Sequence, residues 1–310
     1  MSEEKTKYDI IIIGAGPAGY TAGIYCSRAR HNTLLISGIL PGGQLMNTTD
    51  VENYPGFDQG IMGPDLMLTM RKQTERMGTK IIDDEVISVD LKNNPLKVST
   101  ASSIFEANSV IVCTGANPRK IGLDGEQTFA GKGVSYCATC DGAFFKNQEL
   151  IVVGGGDSAM EEATFLTKFA STVHIVHRRD GFRASKIMQE RALSNEKIKV
   201  HFNYTVEDIQ GDQKFQKVIL KNVKNGEKIT LEAGGLFVAI GHEPNSKIFE
   251  GQVELDENGY VVLKNNTETG VPGVFCAGDV HDHRYRQAVT AAGFGCMAAI
   301  DADKYLAEQK

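Results

Sequence analysis

The chain has 310 residues, 41% hydrophobic and 23% charged, the balance of a soluble globular protein with room for two ordinary domains. Its formal net charge of −6 argues against nucleic acid as the main partner. Six cysteines are too sparse for a disulfide scaffold, the opening Met1-Ser2-Glu3-Glu4-Lys5 is unlike a secretory n-region, and the apolar run Ile10–Ile13 stops at Gly14, too short to cross a bilayer. A cytoplasmic protein with no membrane partner is expected.

Strand-like and helix-like segments alternate along the chain, which predicts an α/β fold. The apolar runs Ile10–Ile13, Leu34–Ile36, Val110–Cys113, Ile151–Val153, Val173–Val176 and Leu236–Ile240 read as buried strands. Helical patterns occupy Ala18–Ala29, Pro64–Met77, Ser158–Phe169, Ser185–Asn195 and Gln287–Glu308. Alternating polar segments, Val206–Asp212 and Phe215–Asn222, read as antiparallel hairpin strands.

One pattern occurs twice. Ile11-Ile12-Ile13-Gly14-Ala15-Gly16-Pro17-Ala18-Gly19 echoes Ile151-Val152-Val153-Gly154-Gly155-Gly156-Asp157-Ser158-Ala159. Each is strand, glycine turn and helix, so the fold class is α/β with two Rossmann-like dinucleotide-binding domains, one dinucleotide each. The first glycine allows the tight turn, the second lets backbone approach a pyrophosphate, and the third position (Gly19 or Ala159) permits close packing of helix on strand. The pyrophosphate would then face a helix N-terminus, where N–H groups and the dipole favour negative charge.

The ends of the second strands differ. In the second unit His177 is followed by Arg178, Arg179, Asp180 and Arg183, a set that suits a ribose 2′-phosphate and so favours NADP over NAD. In the first unit Ser37-Gly38 offers neither a ribose-binding acid nor a phosphate-binding Arg, so the fingerprint alone does not name that ligand. Farther on, Gly273-Val274-Phe275-Cys276-Ala277-Gly278-Asp279 is a strand followed by a glycine and an acid able to reach a sugar-like hydroxyl chain, just ahead of a long C-terminal helix.

Cys137-Ala138-Thr139-Cys140-Asp141-Gly142 lies between the two units, and cysteines at i and i+3 come within disulfide range. A zinc site would need two further Cys or His at suitable spacing, and none follows, so no metal is expected. A redox disulfide served by two nucleotides is the economical reading. Asp141 is open to two roles, a turn or cap residue and a proton carrier for the thiolates. Arg119, Lys120, Lys132 and Lys146 read as a solvated surface, and His201, His281 and His283 receive no role.

These motifs carry a resemblance. The chain is similar, almost end to end, to the low-molecular-weight NADPH-dependent thioredoxin reductases of bacteria, fungi and plants. The similarity runs through Gly14–Gly19, Gly42-Gly43-Gln44-Leu45, Val51-Glu52-Asn53-Tyr54-Pro55-Gly56, Cys137–Gly142, Gly154–Ala159, His177–Arg183, Ala239–Asn245, Ala277–Val280 and Tyr285–Ala288. It implies an FAD-binding domain built from 1–117 and 246–310, with an NADPH-binding domain, 118–245, inserted between them and carrying the cysteines. FAD would then meet Gly14, Ala15, Gly16, Pro17, Ala18, Gly19, Gln44, Asn53, Gly278, Asp279, Arg286, Gln287 and Ala288. NADPH would meet Gly154, Gly156, Ser158, Ala159, His177, Arg178, Arg179 and Arg183. The catalytic set would be Cys137, Cys140 and Asp141, with Cys140 facing the flavin and Cys137 attacking the disulfide of thioredoxin. A homodimer and a rotating inserted domain are implied as well. Some relatives have an acid at Ser37, which leaves the adenosine-ribose contact open. Rival readings are the flavoprotein core of a peroxide-reducing system, a ferredoxin–NADP reductase of similar fold and, from another class, a non-catalytic nucleotide sensor.

Overall fold

A computed structural model describes residues 6–309. The chain forms two compact units, one from residues up to Asn117 together with those from Glu243 onward, the other from Pro118–His242. The resemblance puts the second crossing after residue 245. Local hydrogen bonding accounts for the difference. Asn245 donates through Nδ2 to the Thr114 carbonyl (2.9 Å) and accepts from Asn117 Nδ2 (2.9 Å), while its backbone N–H reaches the Gly115 carbonyl (2.9 Å). Residues 243–245 are thus knitted to 114–117 of the first unit.

The first unit is built on a seven-stranded sheet. Its parallel members are Lys80–Ile82, Thr33–Ile36, Lys7–Ile13, Ile104–Val112 and Val274–Cys276, and an antiparallel edge is formed by Leu96–Thr100 and Val86–Asp90. Ile11 stands opposite both Leu34 and Val110. Because strand side chains alternate, Ile10 and Ile12 pack with Ala18, Ala22, Leu66 and Ala298 from helices Pro17–Arg28, Gly63–Arg76 and Ala288–Glu308. Ile11 and Ile13 face the other way, onto Phe249, Val261 and Val280. Both faces are covered, which is why this strand reads as an unbroken apolar run rather than as an alternating one.

The second unit holds a five-stranded parallel sheet in the order Val134–Ser135, Gly235–Ala239, Glu149–Gly154, Thr172–His177, Ile198–Phe202. Leu150, Val152, Val173 and Ile175 meet the helix Asp157–Leu166 and its neighbour Lys186–Leu193 through Ala159, Ala163 and Ala192. Ile151, Val176, Leu236 and Val238 pack instead on a three-stranded antiparallel sheet, Tyr204–Gly211, Phe215–Asn222 and Lys228–Glu232. The last of these strands, the Val86–Asp90/Leu96–Thr100 pair, Lys80–Ile82, Val134–Ser135 and Ile198–Phe202 are additions to the elements read from sequence. The helix read as Ser158–Phe169 ends at Leu166, where Lys168 and Phe169 bond to carbonyls three residues back and tighten the chain into a turn.

Candidate functional site

In the first unit the glycine turn forms as the spacing predicts. Gly14 has φ +109°, a left-handed conformation open to glycine, and Gly19 packs so closely on the Gly14 carbonyl that a β-carbon would collide with it. Around a β-carbon built on Gly16, by contrast, there is open space. The helix Pro17–Arg28 begins here with Pro at its first position, no side-chain cap and no acid in its first turn, so its N-terminal N–H groups are presented to an anion.

Distant segments converge on this turn. The Gly42 N–H bonds to the Ala15 carbonyl (3.0 Å), bringing up the 42–44 loop, where Gln44 Nε2 donates to Asn117 (2.6 Å). Gly278 lies against Ala18, which places Asp279 beside the same helix start. Asn53 Nδ2 donates to Gln287 Oε1 (3.3 Å), and Gln287 caps the helix Ala288–Glu308 in a reciprocal box with Thr290. Arg286, just before it, is left-handed at φ +48°. The preceding turn is held by Asp282, whose buried carboxylate accepts from the backbone N–H groups of Arg284 (3.0 Å), Tyr285 (2.8 Å) and Arg286 (3.2 Å).

Asp279 Oδ1 is buried without a hydrogen-bond partner among the described residues. Burial, reinforced by the Asp282 charge and opposed by Arg286, pushes its carboxyl up to about 7. A desolvated carboxyl of this kind suits a hydroxyl-bearing ligand, which would supply the missing donor. This orphaned oxygen, the open Gly16 and the uncapped helix start together fit the ribityl chain and pyrophosphate of FAD. His281, which the sequence left without a role, lies edge-on to Phe294 (ring centroids 4.4 Å apart), and its burial lowers its pKa to about 4.

Ser37 follows the strand Thr33–Ile36, and its hydroxyl donates to Asp83 Oδ1 (2.9 Å). Asp83 follows the adjacent strand Lys80–Ile82 and takes a two-pronged contact from Arg71 (2.8 and 2.9 Å), which holds its carboxyl below the usual range. An acid therefore lies beside position 37, one strand over. Sequence spacing could not show it, since register and not separation sets this neighbour.

In the second unit Gly154 packs on Ala239 and Ala159 with no room for a β-carbon, while Gly156, at the start of the helix Asp157–Leu166, faces open space. Ser158 and Ala159 follow in its first turn. His177 is buried with its ring against Gly155, and its Nε2 donates to the Gly181 carbonyl (3.1 Å). It therefore braces the loop. The Arg183 N–H bonds to the Gly155 carbonyl (2.8 Å), so the arginine segment is tied to the glycine turn. Arg178, Arg179 and Arg183 are exposed, and the acid among them, Asp180, pairs with Lys224 (3.3 Å), leaving the local balance positive.

Cys137 and Cys140 form a disulfide with Cα atoms 5.3 Å apart, closed across the short helix Ala138–Asp141. Cys140 is exposed and Cys137 half-buried. Cys137 Sγ accepts from the Cys140 N–H (3.3 Å) and from the Thr139 hydroxyl (3.3 Å), since a sulfur bonded to sulfur has no proton to give. Asp141 is half-buried, and desolvation raises its pKa while a hydrogen bond from Ser135 (2.6 Å) opposes the rise. Ser135 belongs to no spaced motif, and Thr139 occupies a position inside the cysteine motif that the spacing leaves open, so neither had a sequence signal of its own. The other four cysteines are free, three of them buried. Among the described residues no His, Cys, Asp and Glu cluster could hold a metal, and no helix is long and apolar enough to cross a membrane.

A family model described as "Pyridine nucleotide-disulphide oxidoreductase" matches residues 8–295. The chain is 55% identical over 302 residues to a thioredoxin reductase of Streptomyces clavuligerus, covering 96% of this chain and 94% of that one. It is 53% identical to one from Mycolicibacterium smegmatis over the full length of both. Among solved structures, a thioredoxin reductase from Giardia duodenalis superposes with a TM-score of 0.94 at 44% identity, covering 98% of this chain and 100% of that one. The chain belongs to the pyridine nucleotide-disulphide oxidoreductases and, within them, to the thioredoxin reductase family.

Proposed function

We propose that this chain passes electrons from NADPH, through FAD and the Cys137–Cys140 disulfide, to oxidised thioredoxin. The observation that carries the reading is the cysteine disulfide, set in the same unit as a glycine turn flanked by three exposed arginines. When bound, the two nucleotides supply the two-electron chemistry, and the protein supplies position and electrostatics.

In this reading Gly14–Gly19, Gln44, Asn53, Gly278, Asp279 and Arg286–Ala288 hold FAD. Gly154, Gly156, Ser158 and Ala159 seat the NADPH pyrophosphate, His177 braces that loop, and Arg178, Arg179 and Arg183 take the 2′-phosphate. Reduction of the disulfide gives two thiolates, one of which takes a proton from Asp141. The hydrogen bonds onto Cys137 Sγ would steady a thiolate there, which supports Cys137 as the attacking sulfur. Cys137 attacks the thioredoxin disulfide, forming a mixed disulfide and expelling one thioredoxin thiolate. Cys140 then attacks Cys137, restoring the disulfide and releasing the second thiolate. A homodimer in a reducing, cytoplasmic setting belongs to the same reading, supported by the four free cysteines and by the resemblance. The test is NADPH-driven reduction of a panel of thioredoxins with NADH as the control. No thiol formation with any member rejects the assignment.

Asp279 gives a separate expectation. A carboxyl held at about 7 when folded, against 3.8 when unfolded, contributes stability that is complete below pH 3.8 and is lost as pH rises through 7. The apoprotein at about pH 8 should thus carry a penalty of up to about 4 kcal/mol at this residue. Asp279→Asn should flatten the pH dependence of apoprotein melting and raise its midpoint at about pH 8, while weakening FAD binding. Melting curves whose pH dependence matches that of the unmodified apoprotein would refute the role of burial.

A further inference from the structure

Ser135 closes the strand Val134–Ser135 two residues before the cysteine pair and is buried. Its hydroxyl donates to Asp141 Oδ2 at 2.6 Å, and the same oxygen accepts the Cys137 backbone N–H at 3.1 Å. The Cys137 carbonyl lies 3.4 Å away, a second acceptor within reach of the same rotor. A hydroxyl carries one proton, so it can serve only one acceptor at a time, and at present the shorter contact to Asp141 takes it. Accepting from a backbone amide also polarises a hydroxyl and makes it a better donor.

We propose that Ser135 is a positioning residue for the thiol chemistry, its single oxygen fixing both the Asp141 carboxyl and the backbone of Cys137. The inference rests on the reading of Asp141 as proton carrier. While Asp141 is a carboxylate, the Ser135 hydroxyl points at it. When Asp141 holds a proton, that proton can be donated to Ser135 Oγ, and the hydroxyl turns onto the Cys137 carbonyl. The two arrangements correspond to the two protonation states that Asp141 passes through in one cycle. Asp141 gives its proton to a thiolate as the disulfide opens and takes it back as Cys137 attacks, so protons balance at this residue over one turnover.

Ser135 hydrogen-bonds the Asp141 carboxyl directly. The short helix Ala138–Asp141 packs on Asp157–Leu166, which carries the acids Asp157, Glu161 and Glu162, and on the turn Gly142–Phe145, which has no charged residue. Burial raises the Asp141 pKa and the Ser135 hydrogen bond opposes it. Removing the hydroxyl therefore moves the protonation midpoint of Asp141 upward and leaves fewer molecules with the base form at acidic pH.

The test is the pH profile of kcat/KM for oxidised thioredoxin, measured on flavin-loaded protein with saturating NADPH. Ser135→Ala should shift the acid limb upward by about one pH unit, roughly a tenfold loss at a fixed pH on that limb. Ser135→Thr, which keeps the hydroxyl, should restore the original profile. Combining Ser135→Ala with Asp141→Asn should produce no limb shift beyond that of Asp141→Asn alone. Should Ser135→Ala fail to fold, Ser135→Gly removes the same hydroxyl without adding bulk or a thiol, and should show a shift in the same direction. A folded, active Ala or Gly variant with an unmoved acid limb overturns the proposal, as does a Thr variant as impaired as Ala. Loss of thioredoxin reduction by the unmodified protein would instead remove the functional reading itself, so the two failures are distinguishable.

Discussion

Cys140→Ser is expected to leave NADPH-driven bleaching of the flavin intact and to reduce thioredoxin turnover by at least about a thousandfold. The glycine turn and the arginine cluster that seat NADPH in this reading lie at Gly154–Ala159 and His177–Arg183, and no side chain there is altered. Without the second sulfur no disulfide can form, and no two-electron store remains between flavin and thioredoxin. Serine cannot substitute, because its hydroxyl is far less acidic than a thiol and does not form the sulfur–sulfur bond. The remaining Cys137 could attack thioredoxin once and would then stay trapped as a mixed disulfide, with no neighbouring thiolate to resolve it. That trapped species is a second readout, visible as a covalent adduct on non-reducing electrophoresis. Full turnover by the variant, or failure of its flavin to bleach, would contradict the scheme at two separate steps.

Arg178→Ala with Arg179→Ala should erode the preference for NADPH by roughly 30- to 100-fold in kcat/KM, with little change for NADH. A 2′-phosphate takes charge-assisted hydrogen bonds from guanidinium groups, and the dinucleotide without it offers nothing for them to hold. The effect is kept below the full value of two such bonds because both side chains are exposed and screened by solvent. The backbone here is tied down independently. Arg183 N–H holds the Gly155 carbonyl, and Asn203 N–H bonds to the Arg179 carbonyl (3.1 Å), so alanine at these positions removes charge without loosening the loop. Raising the ionic strength should narrow the difference between the two nucleotides in the unmodified protein. An unchanged nucleotide preference would refute the assigned role.

Much of this was legible in the chain because the physics is local. Glycine turns leave a signature within a few residues, as at Gly14, where positive φ demands glycine, and at Gly19, where a carbonyl blocks any side chain. The buried strands betray themselves by unbroken apolar runs, and the cysteine pair by its spacing. What the sequence withheld is set by register and by tertiary approach. Asp83 reaches Ser37 only because two strands lie side by side, and nothing in the linear order marks it. Asp282 orders the turn before Gln287 through three backbone bonds, an arrangement indistinguishable in sequence from an ordinary loop acid. His177, counted among the cofactor contacts by motif, has its ring turned onto Gly155 and its Nε2 engaged with the Gly181 carbonyl. The boundary near residue 245 moved for a similar reason, since the asparagine there bonds back to a segment more than a hundred residues earlier.

The most direct test of the electron path is an anaerobic titration of the purified, flavin-loaded protein with NADPH, with oxidised thioredoxin added afterwards. The account predicts that the flavin colour is lost on NADPH addition and returns on thioredoxin addition, with one thioredoxin dithiol appearing per NADPH consumed. A protein that remains colourless after incubation with FAD, or a flavin that stays bleached while thioredoxin remains oxidised, would contradict it.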